Sequence, residues 1–310
     1  MRLVFMGTPK FARVILENLV ANHEVVLVVT QPDRMTGRKK EWTASPVKQL
    51  ALSLDLPLFQ PERLMHDYAP VLEAKPDYIV TAAYGQMLPN ALLNSVQAIN
   101  VHGSLLPKYR GGAPIQYALF DGLKETGITI MYMAFKMDSG DIIKQEKLLI
   151  EDHDTYGSLS VKLSHLGAKA LDEVLRDITL GKITRIPQNP NDVTFAYTLK
   201  REDEYLSFHW PTDTLINRIR GLSPEPGGYL LIKDTIMKVY HAKKSDIMDE
   251  KSEPGTILDC HKRLIIKTLD GAIEILEMQM LGKKRMTAQA FLNGQTFLKK
   301  MDRFIERKSL

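Results

Sequence analysis

Asn100 and His102 stand two residues apart in Ile99-Asn100-Val101-His102-Gly103-Ser104, a stretch otherwise apolar that runs into a Gly-Ser turn. Side chains two apart on a strand share a face. A carboxamide N–H2 can hold a developing oxyanion, and an imidazole moves protons near neutral pH. Together they suit attack on a carbonyl. The same spacing also fits two hydrogen-bonded structural residues. "FKMDSGDII" (135–143) offers a third group, Asp138 or its competitor Asp141. A carboxylate beside an imidazole favours its charged form and fixes its orientation. Spacing does not choose between the two. The chain has no Gly-x-Ser-x-Gly elbow, and its single Cys, Cys260, lies far along the sequence in another domain. Without a protein nucleophile, the pair points to direct transfer between two bound substrates.

The elements that must carry these residues alternate. "LVFMG" (3–7), "EVVLVVT" (24–30), "DYIVTAA" (77–83), "AINVHG" (98–103) and residues 127–133 have the texture of buried strands. A helix follows the first, with Phe11, Val14, Ile15 and Leu19 at helical spacing, and another opens at Ser45-Pro46. The alternation predicts an α/β fold, a Rossmann-like, mostly parallel sheet with helices on both faces. Such sheets bind ligands beyond the carboxyl ends of their strands. Residues 141–150 fit an edge strand, and 155–181 a long amphipathic helix ended by Gly181. Residues 182–203 hold two prolines and no period, and are expected to cross the surface as a linker. Five short strands then follow between 227 and 281, separated by Gly and Asp turns. They predict a small C-terminal β-barrel of the oligonucleotide-binding type. The expected domains are 1–188, a linker 189–203, and 204–310.

The 310 residues are 44% hydrophobic and 25% charged, with a net charge of +4. No apolar run reaches the ~20 residues of a membrane span. The N-terminal apolar run is too short for a signal-peptide core, so the expected compartment is the cytoplasm; a monomer is expected. One Cys and no His-x-x-x-His spacing give no zinc pattern. Residues 1–203 balance 23 basic against 23 acidic side chains, whereas 204–310 carry 18 against 14. Lys283, Lys284, Arg285, Lys299 and Lys300 fall in a stretch with no acidic residue. The asymmetry fits an anionic partner. The stretch 31–44 is longer than the usual connection of about 4–6 residues and carries Arg34, Arg38, Lys39 and Lys40. It is expected to be an irregular basic loop suited to phosphate contacts, with Trp42 anchoring its root. The first turn, Gly7-Thr8-Pro9, lacks Gly-x-Gly-x-x-Gly, which argues against a dinucleotide-dependent oxidoreductase.

"FMGTPKFA" (5–12), "TQPDRMTGRKK" (30–40), "NVHGSLLPKYRGGAPIQ" (100–116) and "ETGITIMYMAFKMDSGDII" (125–143) resemble the methionyl-tRNA formyltransferases. In the C-terminal part "IRGLSPEPGG" (219–228), "PGTI" (254–257) and "LGKKRM" (281–286) extend the likeness over nearly the whole chain. The Asn-x-His and Ser-Leu-Leu-Pro signature is common to formyltransferases that use 10-formyltetrahydrofolate. The basic loop and the C-terminal part favour a tRNA over an amino-sugar nucleotide as acceptor. The resemblance implies Asn100, His102 and Asp138 as the catalytic trio, and so prefers Asp138 over Asp141. It implies folate contacts from Ser104, Leu105, Leu106 and Pro107, with Gly85, Gln86 and Met87 as another wall. It implies tRNA contacts from Arg34, Arg38, Lys39 and Lys40, and from Lys283, Lys284 and Arg285, with no metal. Two positions depart from the family pattern: Lys10, where an acidic residue is usual, and Glu225, where Trp is common. Intact trio residues argue against an inactive tRNA-binding protein.

Overall fold

In a computed structural model of the protein, residues 1–36, 41–294 and 297–306 are described. The chain divides into two compact units. One comprises 1–114, 125–149 and 160–197, and the other 115–124, 150–159 and 198–310.

Among the described residues, nine strands lie in the first unit: β1 (Arg2–Gly7), β2 (Glu24–Val29), β3 (Arg34–Thr36), β4 (Glu41–Thr43), β5 (Leu58–Phe59), β6 (Tyr78–Ala82), β7 (Ala98–His102), β8 (Glu125–Tyr132) and β9 (Ile142–Leu149). Seven form one sheet in the order β5-β2-β1-β6-β7-β8-β9. The first five are parallel, as the alternation predicts, but β8 runs antiparallel to β7 and β9 antiparallel to β8. The strands expected from buried apolar runs all form, and β5, two residues long, is too short to show a pattern. β9 sits at the edge, as expected, with Lys144 and Lys147 interrupting its apolar residues.

Among the helices, α1 (Lys10–Asn22) buries Phe11, Ala12, Ile15, Leu16 and Leu19. The Ser45 hydroxyl caps α2 (Pro46–Ser53) by accepting from Lys48 N at 3.0 Å. Short helices α3 (Ala69–Glu73), α4 (Asn90–Ser95) and α5 (Pro114–Phe120) follow, then α6 (Tyr156–Thr179). Gly181 sits just beyond α6 at φ +69°, the left-handed stop the sequence predicts.

Within the stretch 31–44, expected to be an irregular loop, the described residues include two antiparallel strands. β3 and β4 pair Arg34 with Thr43, Met35 with Trp42 and Thr36 with Glu41. Trp42 is 68% exposed, so it anchors nothing at the loop's root. Trp42 and Thr43 favour strands, and the pairing runs across strands, an effect that a scan for local period misses.

The second unit holds α7 (Thr212–Leu222), α8 (Ala288–Leu292) and the strands β10 (Gly228–Ile232), β11 (Thr235–Lys244), β12 (Ile257–Asp259), β13 (Leu264–Lys267), β14 (Ala272–Met280), β15 (Met286–Thr287) and β16 (Phe304–Ile305). They run β12-β13-β14-β11-β10-β16, with β15 on β14. Five were expected; β15 and β16 have two residues each and carry no pattern. The bridge between Thr256 and Arg303 ties the two edges and nearly closes the sheet into a barrel. Leu230, Ile232, Val239, Leu264, Ile266 and Ile275 fill its core.

Candidate active site

β7 lies between β6 and β8, with Asn100 opposite Thr81 on one side and Met131 on the other. Asn100 and His102 point to one face, as their spacing requires. His102 is 5% exposed.

Its Nε2 lies 2.9 Å from the Tyr109 carbonyl oxygen. A carbonyl only accepts, so Nε2 carries the proton in either charge state of the ring. Nδ1 is then the nitrogen left to gain or lose a proton, and it faces Asp138 Oδ2 at 3.8 Å. Asn100 is oriented from behind. The Thr81 hydroxyl donates to its Oδ1 at 2.8 Å, which turns Nδ2 toward Asp138 Oδ1 at 3.5 Å.

Asp138 reaches this place by an unexpected route. Because β8 is antiparallel to β7, Tyr132 ends beside Ile99, near the start of β7. The connection 133–141 then turns back toward Asn100 and His102, with Asp138 at φ +49°. Asp138 Oδ2 also accepts from Gly111 N at 2.8 Å. Gly111 has φ +127°, and a Cβ there would stand 2.4 Å from the Ala196 carbonyl oxygen, so only glycine fits. Asp141 takes no such place: its carbonyl accepts from Tyr132 N at 2.9 Å as the β8–β9 ladder begins.

The loop behind His102 is held by a segment expected to be a mere linker. Tyr109 N donates to the Thr194 hydroxyl and Arg110 N to the Thr194 carbonyl, both at 2.9 Å. Ala196 N donates to the Arg110 carbonyl at 2.8 Å. Thr81, Tyr109, Gly111 and Thr194 were all missed from sequence. Only Thr81 left a trace, as a lone hydroxyl in a buried strand.

The Ser-Leu-Leu-Pro stretch is occupied with itself. Ser104, fully buried, donates through its hydroxyl to the Lys108 carbonyl at 2.7 Å. Leu106 packs on Met131 and Ile142. Its N–H and carbonyl are taken by Thr129 Oγ1 at 3.1 Å and Gln145 Nε2 at 2.8 Å. Leu105 and Pro107 are half-buried. In the opposite stretch, Gly85 has φ +87° and Met87 is half exposed. The Gln86 amide is pinned, its Oε1 accepting from Leu64 N at 2.7 Å and its Nε2 donating to the Pro61 carbonyl at 3.2 Å. Beside it the buried Tyr84 hydroxyl has no partner among the described residues, and burial pushes its phenol far above the usual range.

Of the basic residues, Arg34 is exposed on β3, whereas Arg38, Lys39 and Lys40 lie outside the described residues. Nearby Asp33 is held below the usual carboxylate range by hydrogen bonds from Lys48 and then Gln60. Lys283 and Lys284 are exposed in the turn after β14. Arg285 behaves differently. It pairs with both Glu277 oxygens, through Nε at 2.7 Å and through Nη2, and lies 4.1 Å over the Tyr240 ring. No helix among the described residues is long and apolar enough to cross a membrane.

A family model for formyl transferase matches residues 1–175, and one for the formyl transferase C-terminal domain matches 198–296. The chain belongs to the formyl transferase family. Methionyl-tRNA formyltransferases from Staphylococcus aureus strains Newman and JH1 are each 48% identical to it over 299 residues, 94% of this chain and 96% of theirs. Two solved structures share the fold. HypX from Aquifex aeolicus in complex with tetrahydrofolic acid matches with a TM-score of 0.67 at 17% identity, over 99% of this chain and 51% of that one. The chain thus spans about half of HypX. An N-formyltransferase from Helicobacter canadensis, in complex with folinic acid and dTDP-3-aminofucose, matches with a TM-score of 0.64 at 17% identity, over 88% and 98% of the two chains.

Proposed function

We propose that this protein transfers the formyl group of 10-formyltetrahydrofolate to the α-amine of methionine on initiator methionyl-tRNA. The 48% identity over 94% of the chain to methionyl-tRNA formyltransferases carries this proposal, and the meeting of Asn100, His102 and Asp138 gives it a chemical centre. The neutral amine attacks the formyl carbon. A C–N bond forms, and the carbonyl oxygen becomes an oxyanion. Asn100 Nδ2 and the protonated Nδ1 of His102 hold that oxygen. Asp138 keeps the imidazolium oriented and, through a water, helps carry the amine's proton to N10 as the C–N10 bond breaks. The Ser104–Pro107 stretch shapes the folate slot chiefly by holding its walls, because its polar groups are engaged internally. Leu105, Pro107, Gly85 and Met87 are then the residues of the two stretches left to touch the ligand.

Residues 1–188 supply the chemistry and 204–310 the docking surface for tRNA. Phosphate contacts position without specifying, so Arg34 on β3, together with Arg38, Lys39 and Lys40, reads the acceptor end while Lys283 and Lys284 track the backbone. The protein works as a monomer in the cytoplasm, where its acceptor is made.

Incubation with 10-formyltetrahydrofolate and methionyl-initiator tRNA should give acid-stable formylmethionine, with methionyl-elongator tRNA left unformylated. No product from either tRNA, together with transfer to an amino-sugar nucleotide, would overturn the assignment.

A further inference from the structure

Gln188 lies between the two matched family domains, in the stretch whose sequence shows no period. Its amide uses every hydrogen-bonding position it has. Nε2 donates to the Asp138 carbonyl at 2.9 Å and to the Gly140 carbonyl at 2.8 Å. Oε1 accepts from Arg110 Nε at 3.1 Å and Nη2 at 2.7 Å. One side chain therefore ties the backbone of one segment to the Arg110 side chain of another. The first is the turn that carries Asp138 at φ +49°, a left-handed conformation that Asp tolerates better than most residues with a Cβ. The second is the loop on which Tyr109 accepts from His102 and Gly111 donates to Asp138. Ile186, two residues earlier, exchanges both backbone hydrogen bonds with Ile142 at 2.9 Å, which fixes the height at which Gln188 enters.

We propose that Gln188 is a positioning residue for formyl transfer, bracing the Asp138 turn against the Arg110 loop so that the carboxylate stays against Asn100 and His102. The inference rests on the function proposed above. Gln188 touches none of the reacting atoms, and its work is geometric. A misplacement of about 1 Å in a catalytic group can cost about 100-fold in rate.

Q188L removes all four hydrogen bonds at similar volume. Its kcat should fall about 10- to 100-fold, with KM for folate and for tRNA each changed less than about twofold, since the binding surfaces stay intact. Q188E keeps acceptors for Arg110 but loses both donors, and should be as impaired as Q188L; wild-type kcat in Q188E would overturn the bracing of the Asp138 turn. N189A is the control. Asn189 is exposed on the same segment and, among the described residues, bonds only within its own turn, to Asn191 N and Asp192, so its kcat should match wild type. A second readout needs no activity. Hydrogen exchange of the Gly111 amide, whose acceptor is Asp138 Oδ2, should quicken in Q188L and not in N189A. Unchanged Gly111 protection, or full kcat in Q188L, overturns the inference. Absence of transfer by the wild-type enzyme overturns the function instead and leaves the Gly111 exchange to decide the bracing on its own.

Discussion

The polar cluster on β7 and the basic turn after β14 are both rich in functional groups, and they are built on opposite plans. His102 is 5% exposed, and each polar atom of the trio has a protein neighbour within 3.8 Å. Lys283 and Lys284 stand in solvent. The difference fits the roles proposed for them. Stabilising an oxyanion depends on donors fixed in advance at hydrogen-bond distance. Attraction to a phosphate chain acts over a Debye length of about 8–10 Å and tolerates mobile cations. The contrast also divides the basic turn. Arg285, clamped to Glu277 and stacked on Tyr240, belongs with the fixed groups rather than with its two lysine neighbours.

The contrast predicts a hierarchy of losses. His102→Ala and Asp138→Ala should each lower kcat by about 100- to 10,000-fold, the range of general acid–base catalysis, while tRNA still binds; wild-type turnover in either would break the trio. Asn100→Ala should cost about 100- to 1,000-fold as an oxyanion donor is lost. Thr81→Val, which frees the Asn100 amide to rotate, should cost less, about tenfold in kcat and little in KM. Equal effects of Asn100→Ala and Thr81→Val would mean that Thr81 does more than orient.

On the other side of the comparison the effects should fall on KM for tRNA and leave kcat alone. Trp42→Ala removes an exposed ring free to stack on a base, worth about 1–3 kcal/mol if it does so, with an unchanged melting temperature. No change in tRNA affinity would return Trp42 to a role inside the β3–β4 pair. Lys283→Ala with Lys284→Ala should weaken tRNA binding several-fold, uniformly across sequences, and lower the salt slope by about 2. An unchanged slope would remove this turn from the interface.

The smallest effect concerns Arg285. Its hydrogen bond holds Glu277 below the usual carboxylate range. A lowered folded pKa stabilises the protein above the unfolded carboxylate's value and is lost as pH falls through the lowered one. Melting temperature should therefore drop more steeply with acid in wild type than in Arg285→Met below about pH 5. Parallel curves would show that the pair contributes nothing to stability.

Local order was legible before the fold was known. Period-two spacing put Asn100 and His102 on one face, apolar runs marked the strands of the large sheet, and Ser45-Pro46 announced α2. Each of these is decided by a residue and its near neighbours. Other features depended on distant parts of the chain returning to one place. β8 and β9 could have continued a parallel sheet, yet they run antiparallel, and that reversal sends Asp138 back to β7 while Asp141 stays on the ladder. The β3–β4 pair comes from pairing across strands, not from period along one. Thr81 and Gln188 gained their roles only when β6 and the stretch after α6 were laid against the site. The sequence by itself determined which groups could do the chemistry and on which strand face two of them stand. Residue spacing left Asp138 and Asp141 open, and the family resemblance chose Asp138; only the tertiary structure decided how that carboxylate is brought to the pair and what braces it, because those contacts join residues 19 to 78 positions apart in the chain.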